Sequence, residues 1–230
     1  MHSQPPFGRV YGRRRGRKLK GRKSDLIGSG LEAIKIVLPE PPAPFDPGRL
    51  FDPAPTQIWL EIGFGGGEHL AAQAALHPDI GFIGCEPFIN GVSNLLVLAQ
   101  DAALTNIRIL NEDARLLLQR LPVGSIAAAF LLFPDPWPKR RHVERRFANA
   151  ANLDLIANVL ADGAEFRVAT DHPVLRDWMP AQIGAHAGFS LVGRAPVRPE
   201  SWPPTRYETK ALAQGRQPIY LTYRRNARTA

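Results

Sequence analysis

Ile58-Trp59-Leu60-Glu61-Ile62-Gly63-Phe64-Gly65-Gly66-Gly67-Glu68 is the stretch that decides the architecture. The apolar run ending at Ile62 predicts a buried strand, the glycines a tight turn, and Glu68 to about Leu76 a helix. The same rhythm repeats downstream. Strands are predicted over Ile80 to Cys85, Asn106 to Leu110, Ser125 to Phe133 and Glu165 to Ala169. Helices alternate with them over about Phe88 to Ala103, Asp113 to Leu121, Phe147 to Leu160 and Val174 to His186. This alternation predicts an α/β fold, a doubly wound, mostly parallel sheet with helices on both faces and right-handed crossovers. Two last strands, Gly188 to Arg194 and Pro218 to Arg224, lack an apparent helix between them and are expected to pair antiparallel at one edge.

Outside this repeat the chain changes character. Residues 9 to 23 hold Arg9, Arg13, Arg14, Arg15, Arg17, Lys18, Lys20, Arg22 and Lys23 with no acid; these nine cations exceed the net charge of +8, so the rest of the chain is nearly neutral. Residues 1 to 30 are expected to form a poorly ordered basic arm, able to neutralise phosphates with an affinity that falls with salt. A solvated arm without a partner is the plainer alternative. Residues 31 to 56 read as a proline-rich connector, with Pro39, Pro41, Pro42, Pro44, Pro47, Pro53 and Pro55; Leu31 to Leu38 fits either a short helix or a strand. The domain proper is then expected over residues 57 to 230.

Cys85 is the only cysteine, so no intrachain disulfide forms and a reducing cytoplasm is expected. No run is long enough to span a membrane. The amino terminus lacks the apolar segment of a secretory signal, although an organellar transit peptide stays open. No metal-ligand spacing is present.

The glycine turn departs from the dinucleotide fingerprint, which requires glycine where Glu68 stands. An acid at the first turn of that helix opposes a pyrophosphate but not a ligand without phosphate, such as S-adenosylmethionine. Glu61 is a candidate to meet such a ligand's ammonium or to orient the loop, with Gly63 and Gly65 allowing close approach. Glu86, at the end of the second strand, is placed to accept ribose hydroxyls. Asp113, after the third strand, suits an adenine amino group or a helix N-cap.

Phe133-Pro134-Asp135-Pro136-Trp137-Pro138-Lys139-Arg140-Arg141-His142 follows the fourth strand. Its prolines forbid helix, so Asp135, Trp137 and a cluster of cations are presented where ligands bind an open α/β sheet. Trp137 is either a stacking surface for a base or a structural plug.

These motifs resemble the bacterial tRNA (guanine-N7-)-methyltransferase family. The resemblance is carried by Glu-Ile-Gly-Phe-Gly-Gly-Gly-Glu from Glu61, Phe-Pro-Asp-Pro-Trp-Pro-Lys from Phe133, and Arg141-His142 with Arg145-Arg146. Ala169-Thr170-Asp171 and Thr205-Arg206-Tyr207-Glu208 complete it, over about Gln57 to Arg225. It implies a Rossmann-like methyltransferase fold, S-adenosylmethionine as methyl donor, and N7 of guanine-46 in the tRNA variable loop as acceptor. It also implies cofactor contacts at Glu61, Gly63, Gly65, Glu86, Asp113 and Asp135, with Asp135 catalytic. Lys139, Arg141, His142, Arg145, Arg146, Asp171, Thr205, Arg206, Tyr207 and Glu208 match substrate-contacting positions. Asp171 also suits an N-cap, and Arg141 and Arg145 share a face if their segment is α-helical. Pro138 departs from the His or Lys frequent there in the family, and Val143-Glu144 dilutes the basic segment.

Guanine N7 has an in-plane lone pair and no proton, so alignment rather than a strong base is required. Asp135 is therefore expected to accept from the guanine N1–H and amino group. Amino-group methylation of another nucleic acid, and a non-catalytic RNA-binding protein of the same fold, are the competing readings. A monomer or homodimer is expected, with no membrane partner.

Overall fold

The computed structural model describes residues 12–40 and 45–228. Seven strands form one sheet: β1 (Gln57–Ile62), β2 (Ile80–Cys85), β3 (Ile107–Leu110), β4 (Ile126–Leu132), β5 (Leu160–Thr170), β6 (Phe189–Ala195) and β7 (Ile219–Arg225). Among the described residues seven α-helices accompany them: α1 (Arg22–Ile34), α2 (Glu68–Leu76), α3 (Ile89–Asp101), α4 (Ala114–Leu118), α5 (Ala150–Val159), α6 (Pro173–Gly184) and α7 (Arg206–Ala213). The strand order is β3-β2-β1-β4-β5-β7-β6. β1 to β5 are parallel, and β7 lies antiparallel between β5 and β6.

Strand alternation explains why the sheet is covered on both faces. In β2, Phe82 packs with Leu70 of α2 and Leu95 of α3, whereas its neighbour Ile83 joins a core with Leu117 of α4, Leu153 of α5 and Met179 of α6. A strand buried on both sides must be apolar nearly throughout, and all six residues of β2 are buried. A third, smaller cluster unites Phe130 and Leu132 of β4 with Tyr220 of β7 and Trp202. The expected doubly wound sheet and its antiparallel late strands are what the structure contains. The predicted limits of α2 and β2 are those observed, whereas β5 starts five residues earlier than the expected Glu165, and α4 and α5 are shorter than expected.

Three departures have physical causes. The two late strands are separated by a helix after all. α7 is short, begins after Pro203-Pro204 and is stabilised by a capping box. Thr205 Oγ1 accepts from the Glu208 N–H at 2.9 Å, and the Glu208 carboxylate accepts from the Thr205 N–H at 3.4 Å. The helix has only eight residues and buries only Glu208 and Ala211, so it offers no apolar stripe to read.

The basic arm, expected to be poorly ordered to residue 30, instead contains α1 from Arg22. Leu26, Ile27, Leu31 and Ile34 of α1 pack into the core that contains α3 residues Leu95 and Leu96, which supplies the tertiary burial that a short helix needs. Residues 1–11 lie outside the described residues.

The proline-rich segment is also not a bare spacer. Ile36 is 2% exposed, and its N–H donates to Ile109 O at 2.7 Å, so it covers the outer edge of β3. Phe45 and Phe51 are buried in the same core as Ile36. Arg108 Nε donates to Leu50 O at 2.6 Å, and its guanidinium lies 4.8 Å from the centre of the Phe51 ring. The aromatic residues between the prolines hold this segment to the sheet.

Ile36→Ala is therefore expected to destabilise the protein by about 2–4 kcal/mol, as for other buried isoleucines. Chemical denaturation checks this; a change near zero is the result for a solvated connector.

Candidate active site

A cleft of about 500 Å³ opens where the sheet reverses its direction of winding, between the carboxyl ends of β1 and β4. Gly63 and Gly65 line it from the loop after β1, Glu86 and Phe88 from the end of β2, and Asp135 and Trp137 from the segment after β4. Phe147 completes the inner wall, while Arg13, Arg145, Arg206 and Lys210 also line it. A smaller cavity of about 180 Å³ lies beside it, sharing Gly65, Phe88, Arg206 and Tyr207.

The glycine loop takes its shape from close approaches. Gly63 has φ +70° and nothing within 4 Å of a Cβ added there, leaving its cleft side open. Gly91 in the first turn of α3 is the tightest point, since a Cβ there would lie 2.0 Å from Gly65 O. The Glu86 carboxylate fastens this junction. One oxygen accepts from the Gly65 N–H at 2.8 Å and the other from the Phe88 N–H at 2.9 Å. Burial raises the Glu86 carboxyl above its ordinary pKa, and the two N–H donors oppose that shift. Tyr207 of α7 lies over Gly65, where an added Cβ would meet its ring at 2.7 Å; burial raises its hydroxyl pKa.

Two of the acids singled out in the sequence are spent inside the fold. Glu61 is 3% exposed and pairs with His69 of α2, whose Nδ1 is 2.8 Å from a carboxylate oxygen. It is not among the residues that line the cleft, and the pair ties β1 to α2. His69 escaped notice because a lone histidine on an apolar helix face carries no sequence signal. Asp113 is the N-cap of α4. Its carboxylate accepts from the Arg115 backbone and is held by the Arg115 guanidinium at 2.7 Å, also outside the cleft lining.

The segment after β4 is held in a strained form. Phe133 and Trp137 have φ of 51° and 41°, uncommon for bulky residues and frequent at functional sites. The Phe133 N–H donates to Ala169 O at 2.8 Å, tying the turn to β5. Arg146, expected to hold RNA, is buried instead. Its guanidinium donates to Pro136 O and Trp137 O, each at 3.2 Å, and stacks 4.7 Å from the centre of Trp178. Arg145 lies 5.1 Å over Trp137, and the His142 ring meets Trp137 edge-on at 5.7 Å. Trp137 thus has a packing role and a cleft-facing one together.

Asp135 itself is exposed on the cleft wall, yet the surrounding protein desolvates its carboxyl enough to raise its pKa. Arg140–Arg145 forms a 3-10 helix rather than an α-helix. With about three residues per turn, Arg141 and Arg145 point in different directions. Lys139 and Arg141 are exposed there. Desolvation and the cations Arg145, Arg141 and Lys139 hold the His142 pKa below its usual value.

The remaining positions divide in the same way. Thr205 and Glu208 are buried in the cap of α7, and Glu208 also accepts from Arg198 Nε at 3.0 Å and the Tyr220 hydroxyl at 2.8 Å. These contacts anchor α7 to β7 and to the segment before α7. Asp171 pairs with Arg216 Nε at 2.6 Å; the N-cap of α6 is His172, not Asp171. Arg206 and Tyr207 alone of the Thr205–Glu208 element line the cleft. Cys85 is buried and its thiol pKa raised by desolvation, so it is no nucleophile. Among the described residues no cluster of three His, Cys, Asp or Glu side chains suits a metal ion.

Comparison with known proteins adds two kinds of likeness. A protein-family model described as "Putative methyltransferase" matches residues 55–221. The tRNA (guanine-N(7)-)-methyltransferase of Paramagnetospirillum magneticum is 46% identical over 224 residues, covering 96% of this chain and 94% of that protein. The protein of the same name from Rhodospirillum rubrum is 45% identical over 228 residues, covering 96% and 89%. Among solved structures, the 16S rRNA methyltransferase KamB has a TM-score of 0.55 at 16% identity, covering 75% of this chain and 89% of that one. TrmN from Thermus thermophilus has a TM-score of 0.55 at 17% identity, covering 77% of this chain and 46% of that one. These two structures share the fold.

Gly91→Ala is expected to cost at least about 1–3 kcal/mol, because the atom it strikes is backbone. Gly28→Ala, in α1 with open space around the added Cβ, is expected to be neutral or stabilising by up to about 1 kcal/mol. Paired thermal melts of the two variants check the contrast.

Proposed function

The chain belongs to the tRNA (guanine-N(7)-)-methyltransferase family, and from that membership we propose that it methylates N7 of a guanine in tRNA, guanine-46 of the variable loop, with S-adenosylmethionine as donor. The observation that carries this reading is the charge layout of the cleft. Its inner wall presents two carboxylates, Glu86 and Asp135, and its lining also carries Arg13, Arg145, Arg206 and Lys210. A cationic sulfonium suits the acids and a polyanion suits the cations.

The cleft's residues fit that donor. Its volume lies in the range of small-molecule sites. The open side of Gly63 admits a ligand against the backbone, and Glu86 is a carboxylate at the strand end where ribose hydroxyls are accepted in this class of sheet. When bound, S-adenosylmethionine supplies a methyl group already activated on a positively charged sulfur. Guanine N7 brings its own lone pair, so the protein's task is to hold the purine in line. Alignment of that kind accounts for up to ~7–11 kcal/mol of barrier lowering.

Asp135 is the residue to do this. As a carboxylate it accepts from the guanine N1–H and amino group, and its negative charge offsets the positive charge growing on the purine. Because its carboxyl already resists ionisation, a hydrogen-bonding cationic product is a favourable neighbour for its charged form. Lys139 and Arg141, exposed beside the cleft, and the lining cations Arg13, Arg206 and Lys210 are the groups proposed to meet phosphates.

Incubation with labelled S-adenosylmethionine and unmodified tRNA, followed by nucleoside mapping, tests the reading. Label in a nucleoside cleaved after mild reduction and aniline is expected; label on an exocyclic amino group, or none, overturns it. Asp135→Ala is expected to lose most turnover while cofactor affinity stays within several-fold. Cofactor affinity is also expected to fall on acidification, beginning at a higher pH than for an ordinary glutamate. Protonation of Glu86 through its raised pKa removes the acceptor form, and calorimetric titration across pH checks this.

A further inference from the structure

A basic tail that only neutralises phosphates needs charge and no particular geometry. Residues 12 to 23 have a particular geometry. The Arg14 carbonyl accepts from the Ile89 N–H at 3.1 Å, in the first turn of α3. That helix has no side-chain cap of its own, so the arm satisfies one of its otherwise orphaned donors. The Gly16 N–H donates to Asn90 Oδ1 at 2.8 Å, and Asn90 Nδ2 returns a bond to Arg17 O at 2.8 Å. Arg14 pairs with Glu112, and Arg22 with Asp101.

Glycine placement points the same way. A Cβ on Gly16 would lie 2.9 Å from both Asn90 Oδ1 and the Phe88 ring, and Gly12 has φ +112° beside Asp135. The arm therefore rests on Phe88, a wall of the cleft, and brings Gly12 and Arg13 into its lining. It is also wired to the glycine loop. Lys23 Nζ donates to Asn94 Oδ1 at 2.9 Å, and Asn94 Nδ2 donates to Gly66 O at 2.7 Å.

We propose that residues 12–23 form a wall of the cofactor cleft, and that Asn90 and Asn94 are positioning residues through which the arm holds the glycine loop and α3 in place. Cofactor affinity then depends on the arm when no RNA is present. This rests on the reading that the cleft takes S-adenosylmethionine.

The test is calorimetric titration of the full chain with S-adenosylmethionine, without RNA, in wild type, Gly16→Val, Asn90→Ala and the double variant. Each single change is expected to weaken binding about tenfold, the scale of one or two lost hydrogen bonds. The double variant is expected to be no worse than the weaker single, because both break one contact. The loss is expected to persist at high salt, unlike that of a phosphate tether. Melting temperatures are expected to fall by no more than about 2–4 °C, the scale of about 1 kcal/mol in a chain of this size, since Gly16 is exposed and Asn90 half-buried. Equal affinities in all four proteins, or additive losses, overturn the proposal while leaving the cofactor reading intact. No binding by the wild type overturns both.

Discussion

Gly65 O and Gly91 meet at backbone contact, and the cleft depends on that approach. It brings the start of α3 against the glycine loop, which lets one carboxylate, Glu86, accept from both sides of the junction. These contacts hold the loop with positive φ at Gly63, Gly65 and Gly67. Such preorganisation lowers the ordering cost of binding. The burial of Glu86 is then a consequence of the packing: two N–H donors compensate a charge that the surrounding core disfavours.

The opposite wall is organised by Arg146. Its buried guanidinium collects the carbonyls of Pro136 and Trp137, groups that cannot pair within a sheet because the prolines break the ladder. With the Phe133 N–H bonded to β5, the chain is fixed at both ends of the Pro-Asp-Pro-Trp turn. Asp135 is held on the wall by this frame, with no hydrogen-bonding partner among the described residues. A flexible loop bearing the same acid could not keep it within the tolerance that an in-line transfer requires.

Strands and helices were legible because their periodicity is local, and so were the strand ends at which Glu61, Glu86, Asp113 and Asp135 stand. Partners were not legible. Glu61 pairs with His69, Asp113 turns onto Arg115, and Glu208 gathers Arg198 and Tyr220, each through contacts set by the packed fold. The same limitation hid the difference between Arg145 and Arg146, adjacent cations of which one faces the cleft and the other the interior. Composition misled for the arm and connector, where charge and proline outweighed the few residues that pack: Leu26, Leu31, Ile36, Phe45 and Phe51. The absence of glycine at position 68 was informative for the opposite reason, since a helix N-terminus responds to charge wherever the rest of the chain lies.

The place of β7 bears on how the molecule is made. It is the last strand in the chain, yet it pairs on both sides, between β5 and β6. β1 to β5 can pair among themselves in chain order, but the outer edge of β5 stays unpaired until β7 is inserted. For that interval β5 presents open backbone groups, the kind of edge that recruits other chains. Until β7 is in place, an intermediate built from β1 to β5 carries this open edge and is the species most prone to misassembly.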